Sequence, residues 1–460
     1  MPEAAAVATT GESATDSMRA YLEAFESVAA RRAASEPGRL GILRREAITR
    51  FQELGFPTKR LEEWRSTDVR PIARAEFGFE SGAEGTTEAQ LEAFRYAGTC
   101  ELVLVNGTYR EDLSRIPKLP EGVVVSSLAR AWADHPDLVE PHLGNHAKFE
   151  HHAFVALNTA LHEDGVFVFV PRGVIVDVPI HVLHIGYGKD GDAKPVASFP
   201  RNLFVAAENS QCRVIEQYAT ASDMAAGNTL ASPVTEVVLE ANAVVDHYKL
   251  QRESIDAFHM ATFQIHLERA SNFSSQSISW GGGLVRNDVN AVLDGEGCEA
   301  TLNGLYMVEG TQLVDNHMRV DHVAPHCDSH ELFKGILEGS ARAVFNGRIF
   351  VHKGAQKTDA KQTNRNLLLS PKALVNSNPQ LEIFADDVRC THGSTVGQLD
   401  ELGVFYLRSR GIGEQAARSL LTYAFAADIV QRIKDKAVRR DLEEFLFRRL
   451  PRGEVVRQAV

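Results

Sequence analysis

The chain has 460 residues, of which 44% are hydrophobic and 24% are charged, a composition typical of globular proteins with a large core or two to three domains. The net charge of -12 argues against a nucleic-acid-binding surface, which would require a basic face. No run of about 18 apolar residues occurs, so we expect neither a transmembrane helix nor a membrane partner.

The cysteines and the first residues indicate the cellular compartment. The sequence contains five scattered cysteines with no C-x-x-C pair: Cys100, Cys212, Cys298, Cys327 and Cys390. Because an odd number of isolated cysteines is not typical of a disulfide framework, we expect a reducing, cytoplasmic location. Residues 1–16 have neither a basic n-region nor an apolar h-region, and we interpret them as a disordered tail rather than a signal peptide.

Residues 17–164 show mainly helical patterns and form the predicted N-terminal domain. In the first helix, apolar residues recur at helical spacing after Met18, and Asp16 or Ser17 could cap its start. A second helix is predicted over "LGILRREAITRFQELG", where Gly55 and then Pro57 end the pattern. A lone strand, "ELVLVNG", interrupts the helices. Three further helices are predicted: Thr87–Tyr96, Ser127–Asp134 and His151–His162.

Residues 165–398 change to strand patterns and form the predicted core. In "TFQIHLERA", Phe263, Ile265 and Leu267 alternate with polar residues, and glycines interrupt the run at short intervals. We find no helical window here. Many short strands without crossover helices indicate a sandwich, a barrel or a β-solenoid, and the length of the run favours a β-helix. No strict sequence repeat is visible.

Residues 399–460 return to helical patterns and form the predicted C-terminal helical domain. One helix is predicted over "GEQAARSLLTYAFAADIVQRI", and a second over "RRDLEEFLFRRL" before Pro451. We predict that the first helix buries one apolar face: Ala417, Leu420, Leu421, Ala424 and Phe425. The polar face left for a partner or for solvent carries three arginines: Arg418, Arg432 and Arg439.

Two nucleotide motifs do not carry a function here. "DGEGCEA" (Asp294–Ala300) matches G-x-G-x-x-A, but a dinucleotide site requires a helix at this point, and "TLNGLYMVEG" has a strand pattern. The sequence contains no G-x-x-x-x-G-K-[ST], so it lacks a P-loop, and any ATP that drives its work must be bound by a partner.

The segment "DNHMRVDHVAPHCDSH" is a candidate zinc site. It holds four histidines and one cysteine: His317, His322, His326, Cys327 and His330. On a strand, however, His322 is in phase with Met318 and Val320, whereas His317 points the other way. Because these ligands would diverge, we favour core and turn histidines over a zinc site.

The segment "LEIFADDVRCTHGSTVG" (Leu381–Gly397) is a second candidate. If Asp387 to His392 is extended, Cys390 and His392 share one face, with Cα atoms about 6.5–7 Å apart. A thiolate and an imidazole could both bind one metal cluster, but two ligands from one strand cannot complete the site. The remaining ligands would come from another rung or another chain. The alternative is a small buried cysteine beside a histidine at the end of the strand.

The same region resembles a known family. "PQLEIFADDVRCTHGSTVGQLDELGVFYLRSRGI" is similar to a signature of the SufB/SufD family of the SUF iron–sulfur cluster assembly machinery, on its SufD side. "GFPTKRLEEWRSTDV" resembles the N-terminal motif of the family, and "ELFKGILEGSARAVFNGRIFVHKGAQKTDAKQTNRNLLLS" resembles its core signature. The resemblance runs from about residue 40 to about residue 435.

The resemblance implies a mainly β protein, with a right-handed parallel β-helix between N-terminal and C-terminal helical domains. It implies a non-catalytic scaffold that pairs with SufB through the β-helix and binds the SufC ATPase through residues of about 399–450. It places the histidine of the C-x-H-G motif at His392 and its cysteine at Cys390. His392, and with it Cys390, would then face a transient iron–sulfur cluster shared with SufB, with no permanently bound cofactor expected.

Three alternatives remain beside this interpretation. The chain could be a SufB-like primary scaffold, although "YLRSRGI" and "CTHG" stand where SufB-type chains usually differ. It could be a stand-alone β-helix metal-binding protein that uses the 317–330 segment. A carbohydrate-active β-helix enzyme is disfavoured because Asp386 and Asp387 are adjacent and would point to opposite faces of a strand. Exposed β-helix edges also make a homodimer plausible when the chain is expressed alone.

Overall fold

The structure is a computed structural model, and it describes residues 12–32, 38–79, 86–187, 194–221 and 229–460, with the side chains described from Met18 onwards. Residues 1–11 of the predicted tail lie outside the described residues. Residues 12–16 are helical, so the first helix begins before the predicted cap at Asp16 or Ser17.

The helices lie at both ends of the chain. The described residues form the α-helices α1 (Glu12–Arg32), α2 (Gly38–Leu54), α3 (Arg70–Arg74), α4 (Glu88–Leu91), α5 (Leu128–Asp134), α6 (Pro136–Val139), α7 (Ala153–Leu161), α8 (Glu401–Ser409), α9 (Glu414–Val430), α10 (Lys436–Arg449) and α11 (Gly453–Ala459). Local chemistry sets several of the boundaries. The Ser127 side chain caps α5, the Asp400 side chain caps α8, and Gly55 takes a positive φ after α2.

The strands fill the middle of the chain. They are β1 (Cys100–Val105), β2 (Thr108–Tyr109), β3 (Val124–Ser127), β4 (Val166–Val170), β5 (Ile180–Gly186), β6 (Ala197–Ser198), β7 (Arg201–Ala206), β8 (Gln211–Thr220), β9 (Leu230–Ala231), β10 (Val234–Leu239), β11 (Val244–Arg252), β12 (Phe258–Leu267), β13 (Asn272–Ser279), β14 (Leu284–Leu293), β15 (Glu299–Val308), β16 (Leu313–His322), β17 (Asp328–Leu337), β18 (Arg342–Val351), β19 (Asp359–Leu368), β20 (Leu374–Ile383) and β21 (Arg389–Gly397).

These strands build the predicted β-helix. From β10 to β21 the chain alternates between two parallel sheets, so that even-numbered strands stack in one sheet and odd-numbered strands in the other. About seven turns of this solenoid lie between residues 197 and 397. Register partners are 29 residues apart between β14 and β16, where Leu284 pairs with Leu313, but 32 apart between β18 and β20, where Arg342 pairs with Leu374. The changing length of the turns explains why no strict repeat is visible in the sequence.

Each sheet is covered on its outer face by helices. The odd-numbered sheet presents Tyr248, Leu250 and Ile278 to α9 and α10, and the even-numbered sheet presents Phe258 and Met260 to the N-terminal helices. A third apolar core follows the solenoid axis and includes Phe204, Ile265 and Phe345. Because both sheet faces are buried over most of their length, apolar side chains are needed on both sides of the strands.

Two sequence expectations need correction. The strand "ELVLVNG" is not alone, because β1 pairs in parallel with β5 and antiparallel with β2, so the N-terminal segment extends the solenoid sheet. The buried face of α9 agrees only in part with the predicted one: Ala417 is buried and Leu420, Leu421 and Phe425 are partly buried. Ala424 is exposed, whereas Ser419, Thr422 and Tyr423 are buried. The apolar pattern did not identify these three residues, because packing between the sheet and α10 centres the buried face on a side of the helix that includes polar and small residues.

No helix in the described part of the chain is both long enough and apolar enough to cross a membrane.

Candidate functional site

Cys390 and His392 both lie on β21, which is the last strand of the odd-numbered sheet and pairs only with β19. Cys390 is in register with Ala360, and His392 with Gln362. On the same face of β21, the Ser394 hydroxyl donates a 2.8 Å hydrogen bond to the hydroxyl of Ser377 across the solenoid. Cys390 and His392 share one face of β21, as predicted from their spacing. Their register with the buried Ala360 and Gln362 places this face on the interior side of the solenoid, at the end formed by β20 and β21, which we call the open end.

The two side chains differ in exposure. Cys390 is half-buried and packs against a small apolar cluster that includes Ile349, Ala360 and Ala385. Burial raises the pKa of the Cys390 thiol above its ordinary value. His392 is exposed, and its ring has no hydrogen-bond partner among the described residues. The structure therefore leaves the imidazole open to another molecule and keeps the thiol mainly protonated.

A column of polar side chains continues from His392 into the solenoid. Gln362 is buried, and its amide Nε2 donates a 3.0 Å hydrogen bond to Oε2 of Glu331 on β17. Burial raises the pKa of Glu331 to about 7, and the hydrogen bond from Gln362 opposes this shift. Oε1 of each residue has no partner among the described residues. Sequence reasoning missed this column, although both residues occupy inward positions of their strands.

The carboxylates of the same segment lie elsewhere. Asp386 and Asp387 are exposed in the bend between β20 and β21, and Lys357 forms an ion pair with Asp387. Because one carboxylate is engaged by a lysine at an exposed corner, the arrangement does not resemble a buried pair of acid and base catalysts.

Large apolar side chains are exposed at the open end of the solenoid. β20 and β21 each end their sheet, so one backbone edge of each has no strand partner in the described structure. Four large apolar residues near this end are exposed: Leu374, Ile383, Phe384 and Val396. Unpaired strand edges flanked by apolar side chains are the features of a surface that adds strands from a partner.

The 317–330 segment does not assemble a metal site. His322 is buried and shares a 2.9 Å hydrogen bond with the Ser329 hydroxyl, and burial lowers its pKa to about 4. His317 instead contacts Asp315, with Nε2 at 3.0 Å from Oδ1. No group of three or more His, Cys, Asp or Glu side chains suited to a metal ion occurs among the described residues. The divergence predicted from the strand pattern is confirmed.

The solenoid also encloses a buried polar cluster near its middle, centred on Glu216. Its Oε1 accepts hydrogen bonds from the hydroxyls of Thr235, at 2.8 Å, and Tyr218, and its Oε2 lies 3.1 Å from Nε2 of His247. Burial alone would raise the pKa of Glu216, but the hydrogen bond and charge of His247, together with the charges of His184 and Lys249, outweigh burial and hold the pKa below its usual value.

Lys249 lies beside this cluster. Its ammonium donates a 2.7 Å hydrogen bond to Oδ1 of Asn287, and burial lowers its pKa to about 8. Sequence reasoning also missed this group. The signal was present in β11, where His247, Lys249 and Gln251 recur at every second position of a strand that is buried on both faces.

The C-terminal helices present a second surface. α8 exposes a continuous apolar side, with Leu402 77% exposed and Phe405 69% exposed, next to Tyr406. Two of the three arginines that we predicted on the polar face are engaged within the chain, Arg418 with Glu401 and Arg432 with Asp428. The apolar side of α8 is therefore more open to solvent than this arginine face, and sequence reasoning did not identify it.

Parallel sheets wound into a solenoid, flanked by helices and ending beside a cysteine and a histidine, define a β-solenoid rather than a nucleotide-binding fold. Two family models match the chain. The model "SUF system FeS cluster assembly, SufBD core domain" matches residues 188–425, and "SufBD protein N-terminal region" matches residues 15–182.

Curated relatives give the same result. The chain is 34% identical over 397 residues to an iron–sulfur cluster assembly SufBD family protein of Synechocystis sp., covering 85% of this chain and 86% of that protein. It is 31% identical to the iron–sulfur cluster assembly protein SufD of Escherichia coli, over 87% of this chain and 90% of the relative. SufD of Bacillus subtilis is 28% identical over 72% of this chain and 74% of that protein. The chain belongs to the SufBD family of iron–sulfur cluster assembly proteins.

Proposed function

We propose that this chain is the SufD-type, non-catalytic scaffold subunit of a cytoplasmic SUF complex, and that it pairs with SufB and binds the SufC ATPase. The observation that carries the proposal is the position of His392, exposed at the open end of the solenoid without a partner in the described chain, two residues from Cys390. A nascent iron–sulfur cluster is the cargo of this site, and its remaining ligands come from SufB.

The open end supports pairing with SufB. Its two last strands, β20 and β21, have unpaired backbone edges, and the apolar residues Ile383 and Val396 are exposed beside them. A partner that continues the sheets would satisfy the backbone groups and bury these side chains. The same contact would enclose His392 and exclude water from a cluster held there. Self-pairing through this end is the competing arrangement when SufB is absent.

The absence of a P-loop from the sequence supports a separate ATPase subunit. The apolar side of α8 is the surface that we assign to SufC. All five cysteines are free thiols, which suits the reducing cytoplasm.

A charge at the open end tests the pairing. We expect the double variant Ile383→Asp and Val396→Asp to lose SufB in co-purification, because the partner would have to bury two unpaired carboxylates. The matched control is Ile255→Asp, at an exposed isoleucine in the turn between β11 and β12, far from the last strands. Retention of SufB by the folded double variant would refute pairing through this end.

A further inference from the structure

Two cysteines outside the proposed cluster site lie side by side on neighbouring turns of the solenoid. Cys298 directly precedes β15 and Cys327 directly precedes β17, and the register of these strands pairs the next residues, Glu299 and Asp328. The ladder continues to the cysteines themselves, since the amide of Asp328 donates a 2.9 Å hydrogen bond to the carbonyl of Cys298. Stacked strands bring such Cα atoms to about 4.8 Å, inside the range of about 4.4–6.8 Å that a disulfide requires.

The two sulfur atoms also point to the same place. The Cys298 thiol lies 2.8 Å from the carbonyl oxygen of Gly295, and the Cys327 thiol lies 3.2 Å from the same oxygen. The sulfur atoms are therefore no more than about 6 Å apart. The contact with Cys327 lowers the pKa of the Cys298 thiol, and the contact with Cys298 raises the pKa of the Cys327 thiol. The pair thus gives up one proton more readily than an isolated thiol.

These cysteines belong to a column of small buried residues at one corner of the solenoid. Backbone hydrogen bonds between the turns place in one row Ala243, Ser271, Cys298, Cys327 and Thr358. Serine fits this corner at position 271, directly beside Cys298, so the packing does not require sulfur. Each cysteine directly follows exposed turn residues in the sequence. Cys298 follows Glu296 and Gly297, and Cys327 follows His326.

We propose that Cys298 and Cys327 form a reversible dithiol–disulfide pair, oxidised by hydrogen peroxide, that covalently joins two neighbouring turns of the solenoid. The Cys298 thiolate attacks one peroxide oxygen, the O–O bond breaks, and the hydroxide that leaves takes up the Cys298 proton to form water. Cys327 then attacks the sulfenic sulfur, so that the S–S bond forms, the S–O bond breaks and a second water leaves with the Cys327 proton. Two electrons pass from the two sulfurs to the peroxide.

The joined turns support the C-terminal helices. Lys334 on β17 donates a 3.1 Å hydrogen bond to the carbonyl of Phe425 and forms a 2.7 Å ion pair with Asp428, both on α9. A disulfide between the two turns would therefore restrict the movement of the strand that contacts α9. The pair lies apart from β21, and the proposal does not depend on the cluster site.

Peptide mapping of the full-length chain tests the proposal. Trypsin would separate Cys298, in the peptide 287–319, from Cys327, in the peptide 320–334, and would place Cys390 in 390–408. After treatment with hydrogen peroxide we expect the five free thiols to fall to three, a single linked peptide of 287–319 with 320–334, and full recovery of thiols with dithiothreitol. The proposal is overturned if both peptides keep their thiols at a peroxide concentration that oxidises Cys390, or if either cysteine links elsewhere.

Two serine variants sharpen the test. In Cys327→Ser the linked peptide should disappear, and Cys298 should instead be trapped by dimedone as a sulfenic acid, because it has lost its resolving partner. Cys212→Ser is the matched control, since Cys212 is also buried, lies on β8 of the sheet that holds β15 and β17, and forms no pair with another cysteine, so this variant should keep the linked peptide. The wild-type map decides the proposal even if a variant fails to fold.

Discussion

At the scale of single residues, Cys390 and His392 are unequal as candidate ligands. A thiol binds iron only after losing its proton, and burial against Ala360 and Ala385 raises the pKa of the Cys390 thiol. His392 is exposed and needs no rearrangement to meet a partner's cluster. We therefore expect His392 to contribute more to cluster retention than Cys390, and Cys390 to contribute more to packing of the last turn.

Glu331 offers a test of the polar column beneath His392. Its folded-state pKa of about 7 lies above the unfolded value, so the native chain binds more protons than the unfolded chain between about pH 4.5 and 7. The contribution of the neutral Glu331 carboxyl to the free energy of unfolding is complete below about pH 4.5 and is lost as the pH rises through 7. At pH 8 we expect Glu331→Gln to be more stable than wild type by up to about 3 kcal/mol, and near pH 5 the difference should shrink strongly.

Thermal unfolding at the two pH values measures this difference. Glu296→Gln, at an exposed glutamate, is the control and should show no comparable dependence. Equal stability of Glu331→Gln and wild type at pH 8 would mean that Glu331 is charged without cost in the folded chain.

Gly335 tests the packing of the solenoid interior. A Cβ at this position of β17 would overlap the ring of Tyr306, whose hydroxyl donates to Oδ1 of Asn366. Gly335→Ala should therefore destabilise the chain by about 1–3 kcal/mol, because a buried ring has to move. In Gly393→Ala, by contrast, the added methyl group meets nothing within 4 Å, and thermal unfolding should change little.

At the scale of elements, α8 is the part of the C-terminal domain with the strongest case for a partner. Leu402 and Phe405 are more than two-thirds exposed on a helix that is ordered by its Asp400 cap. We expect Leu402→Asp with Phe405→Asp to lose SufC in co-purification, because an apolar docking surface has acquired two charges. Val455→Asp, at an exposed valine on α11, should keep SufC.

Point variants suit this test better than removal of the domain. α9 and α10 cover Tyr248, Leu250 and Trp280 on the outer face of the solenoid. A chain truncated after Gly411 would expose this surface, so loss of SufC from such a chain would not separate lost docking from lost folding.

The elements also show where sequence reasoning succeeds and where it stops. Period-two alternation and the absence of helical windows predicted a sandwich, a barrel or a solenoid, and the length of the run and the family resemblance favoured the β-helix. Strand phase was enough to predict that His317 and His322 diverge. The predicted buried face of α9 was right for Ala417 and in part for Leu420, Leu421 and Phe425, but wrong for Ala424, because the buried side depends on which neighbours the helix meets. The Glu331–Gln362 and Glu216–His247 contacts join different strands, and because the solenoid turns vary in length, the sequence shows no strict repeat from which these pairs could be aligned.

At the scale of the whole molecule, the two ends of the solenoid differ. At the N-terminal end, β1, β2 and β3 extend the sheets and β2 and β3 end them with antiparallel pairs, while α5 and α6 pack near that end. At the C-terminal end, β20 and β21 stop the sheets with exposed edges and exposed apolar side chains. This asymmetry favours a partner at the end that holds Cys390 and His392.

The most direct test of the central claim is the iron and acid-labile sulfide content of the complex formed by His392→Ala co-expressed with SufB and SufC. Thr391→Ala, whose side chain points to the opposite face of β21, is the matched control. We expect the complex to assemble with unchanged subunit ratios, and iron and sulfide to fall in the His392 variant on the order of tenfold while the control keeps both. Unchanged iron and sulfide in an intact His392→Ala complex would contradict the account, and β21 would then be an interface strand whose partner holds the cluster alone.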